Sequence, residues 1–339
     1  MGLLESFLAA GHQPYHANVS VWGDAHPFAT DFIRGPDGHG WHIDRAAFEE
    51  GLRRAIRERG AVVLAPARLE SIAATRSGWS LGVETPKGPR TLHARVVIDA
   101  TGRRASVARR LGASTCGFDR LLCGWVHGAA APGSERGLTY VESAPDGWWY
   151  TAPIPGNRRV LAFHTDADLP SAATACTPDL LVERASRLDL IGSALEACHF
   201  ERTSIFGVTA AGTTRRSPCA GRGWMAAGDA ALALDPLSSQ GLVNALFTGL
   251  AAAESADRYL DGADDAVHDY ATTVDRVFAA YLRQLDHWYG VERRWPDAPF
   301  WRRRQREPAV RSLAHPGYSR EVGAQAESAE AGTNGSTEV

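Results

Sequence analysis

The sequence predicts an α/β fold in which a parallel sheet and an antiparallel sheet form separate parts of one chain. Arg95–Ala100 (RVVIDA) is a continuous apolar strand, which is typical of a parallel strand buried on both faces. From Leu121 to His164, four β-rich runs are separated by Pro and Gly turns, a pattern that indicates antiparallel sheet. The stretch Gly223–Gly249 runs from a short apolar strand through a polar loop into a helix, and the rest of the chain is organised around it.

The composition is that of a globular protein with few special partners. The chain has 339 residues, of which 44% are hydrophobic and 22% charged, enough for one large or two moderate domains. A net charge of −3 gives no reason to expect nucleic acid or a membrane surface as a partner. Five cysteines without C-x-x-C spacing suggest neither disulfides nor a metal site. With no recognisable signal peptide, we expect a cytoplasmic protein.

The first third of the chain is predicted to contain short strands around one amphipathic helix. Asp44 is a credible N-cap for that helix, in which Phe48, Leu52 and Ile56 line one face. Gly60 ends it. The predicted strands are, in chain order, Asn18–Gly23, Thr30–Arg34, Ala61–Leu64, the meander Arg68–Thr75, Gly78–Glu84 and Arg90–His93, and finally Arg95–Ala100.

The later part of the chain is predicted to alternate between helices and strands. Asp179–Ala197 reads as one amphipathic helix and Ser204–Ala210 as a strand. Ala266–Gly290 is a long helix with large apolar residues at helical spacing. From Glu307 onward the composition predicts a disordered tail.

The order of groups along the stretch Gly223–Gly249 is typical of a ligand-binding site. The strand Trp224–Ala227 breaks at Gly228-Asp229, crosses an Asp235-Pro236 turn and reaches a helix whose N-terminus follows the loop 237–241. This order offers a carboxylate to a sugar-like hydroxyl and backbone N–H groups to an anionic oxygen. An ordinary buried strand–turn–helix with a capping aspartate is the simpler alternative.

Several motifs, in this order along the chain, resemble the FAD-dependent monooxygenase fold that aromatic hydroxylases, geranylgeranyl reductases and tryptophan halogenases share. The segments are GWHIDRAAFEEGL, RVVIDATG and GDAALALDPLSSQGL. Together with GWWYTAP and the RWP…FW-RR pattern, they are most similar to the flavoproteins that mature quinone-cofactor amine oxidases. The resemblance covers about residues 3–305 and therefore nearly the whole predicted ordered chain.

The resemblance implies a Rossmann-like FAD-binding domain, incomplete at its N-terminus, with an antiparallel-sheet substrate domain. The predicted division places the first part of the FAD-binding domain, with its β-meander, at 1–113 and the substrate domain at 114–212. The second part of the FAD-binding domain and the C-terminal helices take 213–306, and the disordered tail takes 307–339.

The resemblance also implies FAD as the cofactor, with Asp229 hydrogen-bonded to its ribityl chain. The loop and the helix start would lie beside the isoalloxazine, where a helix N-terminus favours the negative charge of reduced flavin by about 0.3–1 kcal/mol. The predicted cofactor-binding residues are Arg45, Thr101, Gly102, Gly228, Asp229, Pro236, Ser239, Gln240, Gly241 and Leu242.

The Gly-x-Gly-x-x-Gly turn with which the family begins, and whose helix holds the FAD pyrophosphate, has no counterpart in this sequence. Two explanations stay open: a functional protein longer than this sequence, or a decayed paralogue that binds FAD weakly or not at all. In either case these residues predict exposed strand edges and weak FAD retention.

The resemblance implies a monooxygenase-like oxidoreductase, in which reduced flavin activates O₂ to oxygenate an aromatic or amino-acid-type small molecule. One alternative is a maturase that oxidises a tryptophan or similar side chain of a partner protein, and another is a non-catalytic remnant. A halogenase of this family needs a lysine near the substrate. The corresponding segment, Gly11–Trp22, has none, so we do not expect halogenation.

No catalytic residue is identified, but four side chains are candidates for chemistry or substrate contact. His42 is either an acid/base group near pH 7 or a structural turn histidine. Arg45 either contacts flavin or substrate or lies exposed in the first helical turn. Trp148 and Tyr150 share one face of a strand and Trp149 takes the other. The Trp148 face either stacks on an aromatic substrate or packs in the core.

Overall fold

A computed structural model describes residues 2–32, 35, 38–134 and 137–305. The predicted tail and the end of the predicted strand Thr30–Arg34 lie outside these residues. No helix in the described ranges is both long and apolar enough to cross a bilayer. No disulfide joins the described cysteines.

The secondary structure alternates between short strands and helices of very different lengths. The helices are α1 (Leu4–Leu8), α2 (Arg45–Glu58), α3 (Ser106–Arg110), α4 (Ala172–Ala175), α5 (Pro178–Ala185), α6 (Asp189–Ala197), α7 (Gly241–Leu260), α8 (Ala266–Val291) and α9 (Pro299–Arg304). The strands are β1 (Gln13–Tyr15), β2 (Ala17–Val21), β3 (Phe28–Asp31), β4 (Gly40–His42), β5 (Arg68–Thr75), β6 (Gly78–Thr85), β7 (Gly88–Ala94), β8 (Val97–Asp99), β9 (Ser114–Gly117), β10 (Leu121–Ala129), β11 (Leu138–Ala144), β12 (Gly147–Ile154), β13 (Arg158–Asp166), β14 (Glu201–Ala210), β15 (Thr214–Ser217), β16 (Ala220–Gly221), β17 (Trp224–Ala226) and β18 (Leu232–Ala233).

The largest sheet has seven strands in the order β14-β10-β13-β12-β11-β2-β3. The four β-rich runs pair antiparallel with one another, which confirms that prediction. Strand β11 also pairs in parallel with β2, with Val141 opposite Ser20. Two strands from the N-terminal part of the chain thereby join this sheet, although the predicted division placed them with the cofactor-binding domain. The division itself stays a prediction.

Both faces of the large sheet are covered. On one face Trp149, Leu161 and Phe163 are fully buried in a core that helices α5 and α6 complete. On the other face Trp148 belongs to a second core, to which α8 and α9 contribute. The opposite orientations of Trp148 and Trp149 follow from the two-residue period of a strand and confirm the prediction.

The parallel part of the fold is much smaller than the antiparallel part. Strand β8 pairs in parallel with β17 in a three-stranded sheet of order β16-β17-β8, so its predicted direction is confirmed. Its predicted burial on both faces is wrong, because Ile98 is 38% exposed and β8 has a strand on only one edge among the described residues. The meander β5-β6-β7 forms as predicted.

Two other predicted elements differ from the structure. Ala61–Leu64 forms no strand, since no described strand lies beside it to pair with, and Val62 is 85% exposed. The predicted helix Asp179–Ala197 is divided into α5 and α6 at residues 186–188. By contrast, Asp44 caps α2 as predicted, because its carboxylate accepts a hydrogen bond from the Ala47 N–H at 3.0 Å.

The predicted long helix is confirmed as α8. Its buried face presents Tyr270, Tyr281, Leu285 and Tyr289 to the core. The Tyr270 hydroxyl donates to the Ala226 carbonyl at the end of β17. Helix α8 therefore fixes the strand from which the candidate site begins.

Candidate functional site

The site begins where β17 ends in a tight turn. Gly228 has a φ of +58°, a left-handed conformation that a side chain would strain. Its N–H donates to the Thr248 hydroxyl of α7 at 2.8 Å, and the Asn244 amide donates to the Leu232 carbonyl at 2.9 Å. The turn and α7 are thus held together by side-chain hydrogen bonds from the helix.

Asp229 follows this turn and keeps its carboxylate partly exposed between two arginines. The Nε of Arg103 lies 3.8 Å from the carboxylate. Burial raises the pKa of Asp229, whereas the charges of Arg103 and Arg45 oppose that rise. The predicted cofactor residues Arg45 and Asp229, far apart in sequence, therefore lie within electrostatic range of each other.

The predicted residues Thr101 and Gly102 come to the same place. The short 3₁₀ turn 102–104 packs against the turn 228–230. The Thr101 hydroxyl donates to the Asp99 carboxylate at 2.6 Å and accepts from the Ser106 N–H at 2.7 Å. The visible role of Thr101 is therefore to shape the turn, and its contact with a cofactor stays a prediction.

The loop after Asp235 leads into the N-terminus of helix α7. Pro236 begins a 3₁₀ turn, and Ser239 takes a left-handed φ of +52° before Gln240 and Gly241 enter α7. Among the described residues no side chain caps α7, and the first hydrogen bond of this helix runs from the Asn244 N–H to the Gln240 carbonyl at 2.8 Å.

The first three N–H groups of α7, those of Gly241, Leu242 and Val243, precede that hydrogen bond. They remain available to an anionic ligand.

A buried hydrogen-bonded network behind this loop was not predicted from the sequence. The Asp235 carboxylate accepts from the Leu237 N–H at 2.9 Å and from the Tyr289 hydroxyl at 2.8 Å. The Trp148 indole N–H lies 3.3 Å from the Tyr289 oxygen. Burial, with the charge of Asp119, raises the pKa of Asp235 to about 6. Tyr289, Trp148 and Asp119 lie more than 50 residues from Asp235, so local sequence patterns held no signal for them.

The two predicted substrate residues occupy different surroundings. Trp148 is only 2% exposed and stacks on His164 with ring centroids 3.6 Å apart. This conformation leaves little of its indole open to a ligand. Tyr150 is partly exposed and lies near Thr139 and Tyr15. A substrate contact for either residue stays a prediction.

His42 lies on strand β4, which pairs with β1, and its ring contacts a hydroxyl group of strand β11 in the large sheet. Its Nε2 is 2.9 Å from the Thr139 hydroxyl, and its Nδ1 is buried without a hydrogen-bond partner among the described residues. Its ring lies 4.7 Å from that of Tyr15. Burial, then the charge of Arg159, lowers the pKa of His42 to about 4. His42 is therefore a neutral imidazole at pH 7.

Arg45 lies at the start of α2, three residues after His42, and its guanidinium also pairs with Glu49 at 2.7 Å. No group of three or more His, Cys, Asp or Glu side chains in the described ranges is placed to hold a metal ion.

Comparisons with known proteins identify the family and the fold of this chain. A family model described as tryptophan halogenase matches residues 29–325. A protein of Marinomonas mediterranea named putative FAD-dependent oxidoreductase LodB is 26% identical over 303 residues, which cover 89% of this chain and 80% of that protein.

Three solved structures share the fold. The flavin-dependent halogenase CmlS is 22% identical with a TM-score of 0.77, covering 92% of this chain and 60% of its own. The myxobacterial chondrochloren halogenase CndH is 19% identical with a TM-score of 0.79, covering 94% and 79%. The peptidyl tryptophan dihydroxylase QhpG is 23% identical with a TM-score of 0.70, covering 91% and 68%.

These matches confirm the predicted α/β fold, a Rossmann-like FAD-binding domain with a substrate domain. This chain spans about 60% of the length of CmlS.

Proposed function

We propose that this chain, which belongs to the tryptophan halogenase family, is a monooxygenase-like FAD-dependent oxidoreductase acting on an aromatic or amino-acid-type substrate. FAD is named in the descriptions of LodB and CndH. The observation that carries the proposal is the convergence of Asp229, Arg45 and the turn 101–102 beside the uncapped start of α7.

The residues present fit the flavin end of FAD. The partly exposed Asp229 carboxylate can accept hydrogen bonds from ribityl hydroxyls. The free N–H groups at the start of α7 favour negative charge on the flavin ring, and the exposed Gly241 keeps the approach open. FAD, when bound, supplies the electrons with which O₂ is activated.

We assign the polar cluster around His42 to substrate orientation. Neutral His42 has one ring nitrogen beside Thr139 and one without a hydrogen-bond partner among the described residues, so it can hold an N–H or O–H group of an aromatic ring. It can also take up a proton from such a group. Because His42 is three residues from Arg45, this cluster adjoins the proposed flavin position.

Oxygenation is favoured over halogenation by the positions of basic side chains. Lys87, the only lysine, lies in the hairpin turn between β6 and β7. The segment Gly11–Trp22 has His12, Tyr15 and His16 instead of a lysine. The test supplies reduced FAD, O₂, bromide and indole probes, and reads products by mass spectrometry. Oxygen added to the ring supports the proposal, and brominated product as the main species contradicts it.

A second candidate is oxidation of a tryptophan or similar side chain in a partner protein. The similarity to the peptidyl tryptophan dihydroxylase QhpG favours it. Tryptophan-containing peptides tested beside free indoles would separate the two substrate classes. Turnover of peptides alone would select this candidate.

The cofactor assignment is tested by binding of FAD to the Asp229→Ala variant. Loss of a charge-assisted hydrogen bond should weaken binding about tenfold or more. Asp257→Ala is the control, because Asp257 is an exposed aspartate of α7 whose side chain has no hydrogen bond or ion pair in the described part of the chain. Equal FAD affinities for the two variants would contradict the site.

A further inference from the structure

A cavity of about 750 Å³ lies between α8, α9 and the segments around Asp119, Thr213 and Asp235. This volume is in the range of pockets that enclose small organic ligands. None of the sequence-predicted site residues lines it. Of the residues that line the cavity, only Asp235, which precedes Pro236, belongs to the segment that leads into the loop 237–241.

The walls of the cavity are apolar and partly aromatic. Phe118 and Phe278 face each other with ring centroids 5.0 Å apart and planes tilted by 54°. Leu282 and Leu285 continue the same side of α8. The eight residues from Phe278 to Leu285 span roughly 10 Å of helix. That length suits a two-ring aromatic compound with a short side chain.

The arginines around the cavity are not equivalent. Arg120 pairs with Asp168 at 3.0 Å, and Arg303 pairs with the same carboxylate at 2.7 Å. Arg304 pairs with Asp166 at 2.6 Å. Arg283 lines the rim as well, but it forms no hydrogen bond or ion pair with any described residue. Its charge is therefore available to a ligand.

The carboxylates deep in the cavity already have donors from the protein. Asp235 accepts from Leu237 and Tyr289, as described above. The two carboxylate oxygens of Asp119 accept from the backbone N–H groups of Leu121 and Thr213, both at 2.9 Å. These acids help to shape the cavity, while the rim offers an unpaired cation. The combination favours an anion on an aromatic body.

We infer that this cavity binds an aromatic carboxylate, with its ring packed against the contacting pair Phe118 and Phe278 and its carboxylate at Arg283. This inference rests on the proposed function in one respect: it takes the aromatic carboxylate to be the class of substrate that is oxidised. The binding itself needs no flavin. A guanidinium binds a carboxylate through paired N–H donors, and apolar walls exclude water from the ring.

The test is calorimetric titration of the full chain, without FAD, with three probes of one ring system: indole-3-acetate, tryptamine and 3-methylindole. Indole-3-acetate should bind about tenfold or more tightly than tryptamine, and Arg283→Gln should remove that preference while leaving 3-methylindole unchanged. Arg302→Gln is the control, because Arg302 is an exposed arginine of α9 outside the cavity. It should bind as the unaltered chain does.

A second variant, Leu282→Trp, fills the cavity and should abolish binding of all three probes. Tighter binding of tryptamine, or an Arg283→Gln variant with unchanged preference, would overturn the inference. So would an absence of binding by the unaltered, folded chain. Binding of indole-3-acetate by a chain that never oxidises it would contradict the proposed function and leave this site in place.

Discussion

The large sheet and the small parallel sheet of this protein differ in how completely the chain covers them. The large sheet has cores on both faces, and Trp149, Leu161 and Phe163 have no solvent exposure. Around the small sheet, helix α7 shows Val243 at 67% and Leu250 at 60% exposure, on a face that no described residue covers. We call the large sheet with its two cores the closed half of the fold. The small sheet with α7, which leaves apolar side chains exposed to solvent, is the open half.

The difference separates two sources of stability. The closed half gains from apolar burial, at roughly 25 cal/mol per Å². The open half is held by individual polar ties, such as the hydrogen bond between Gly228 and Thr248. Substitutions should therefore cost most in the large sheet and least on the exposed face of α7.

The largest effect is expected for Trp149→Ala. Trp149 stacks on Phe163 at 4.3 Å, and its removal leaves a large cavity in a core that cannot collapse around it. The free energy of unfolding should fall by about 3–5 kcal/mol in urea denaturation. Trp288→Ala, at a half-exposed tryptophan of α8, is the control and should change it by less than about 0.5 kcal/mol. Equal losses would erase the distinction between closed and open surfaces.

Acid should weaken the closed half through His164. Burial lowers the pKa of His164 from 6.5 to about 3, so the folded protein excludes a proton that the unfolded chain binds. Stability is therefore full above pH 6.5 and falls as the pH drops towards 3, by about 3 kcal/mol between pH 6.5 and pH 4. His42, whose pKa is also lowered, adds to the same slope.

The measurement is unfolding in urea at a series of pH values for His164→Phe, which keeps a ring on Trp148 without a titrating proton. Its stability should depend less steeply on pH than that of the unaltered chain. His268→Asn, at an exposed histidine of α8, is the control and should keep the original slope. An unchanged slope for His164→Phe would show that another group carries the acid sensitivity.

A smaller effect is expected for Thr248→Val in the open half. This nearly isosteric change leaves the buried Gly228 N–H without its acceptor, which should cost about 1–3 kcal/mol of unfolding free energy. Thr273→Val is the control, because the Thr273 hydroxyl only donates to the Asp269 carbonyl of its own helix. A negligible loss at Thr248 would mean that the open half is held by packing after all.

The smallest effect is expected for Phe247→Gln and Leu250→Gln on the exposed face of α7. Each should change the unfolding free energy by about 0.5 kcal/mol or less, because neither side chain leaves a core. Leu285→Ala in the buried face of α8 is the contrast and should cost about 2–5 kcal/mol. A large loss that grows with protein concentration would show that another molecule covers α7 in solution.

The sequence predicted elements whose signals are local. The Asp44 cap, the meander and the opposite faces of Trp148 and Trp149 depend on neighbours a few residues away. Ala61–Leu64 failed because an apolar run becomes a strand only beside a partner. The buried pair of Asp235 and Tyr289 could not be predicted, since 54 residues separate its members.

The candidate site divides in the same way. Gly228, Asp229 and the loop to Gly241 were predicted because they follow one another in a short stretch of the chain, and their binding of a cofactor stays a prediction. The approach of Arg45 and Arg103 to Asp229 is tertiary, although the resemblance had already selected Arg45. The cavity beside Phe278 could not be predicted from a sequence pattern, because the residues that line it lie on helices, strands and loops far apart along the chain.

Helix α8 contacts both halves of the fold and therefore affects how the protein unfolds. Its 26 residues span roughly 39 Å, and its tyrosines bond to the end of β17 and to Asp235, while Tyr289 also contacts Trp148 of the large sheet. Neither half can lose its structure without withdrawing partners from the other through this shared helix. Closed and open regions should therefore melt in a single calorimetric transition, despite their unequal stability.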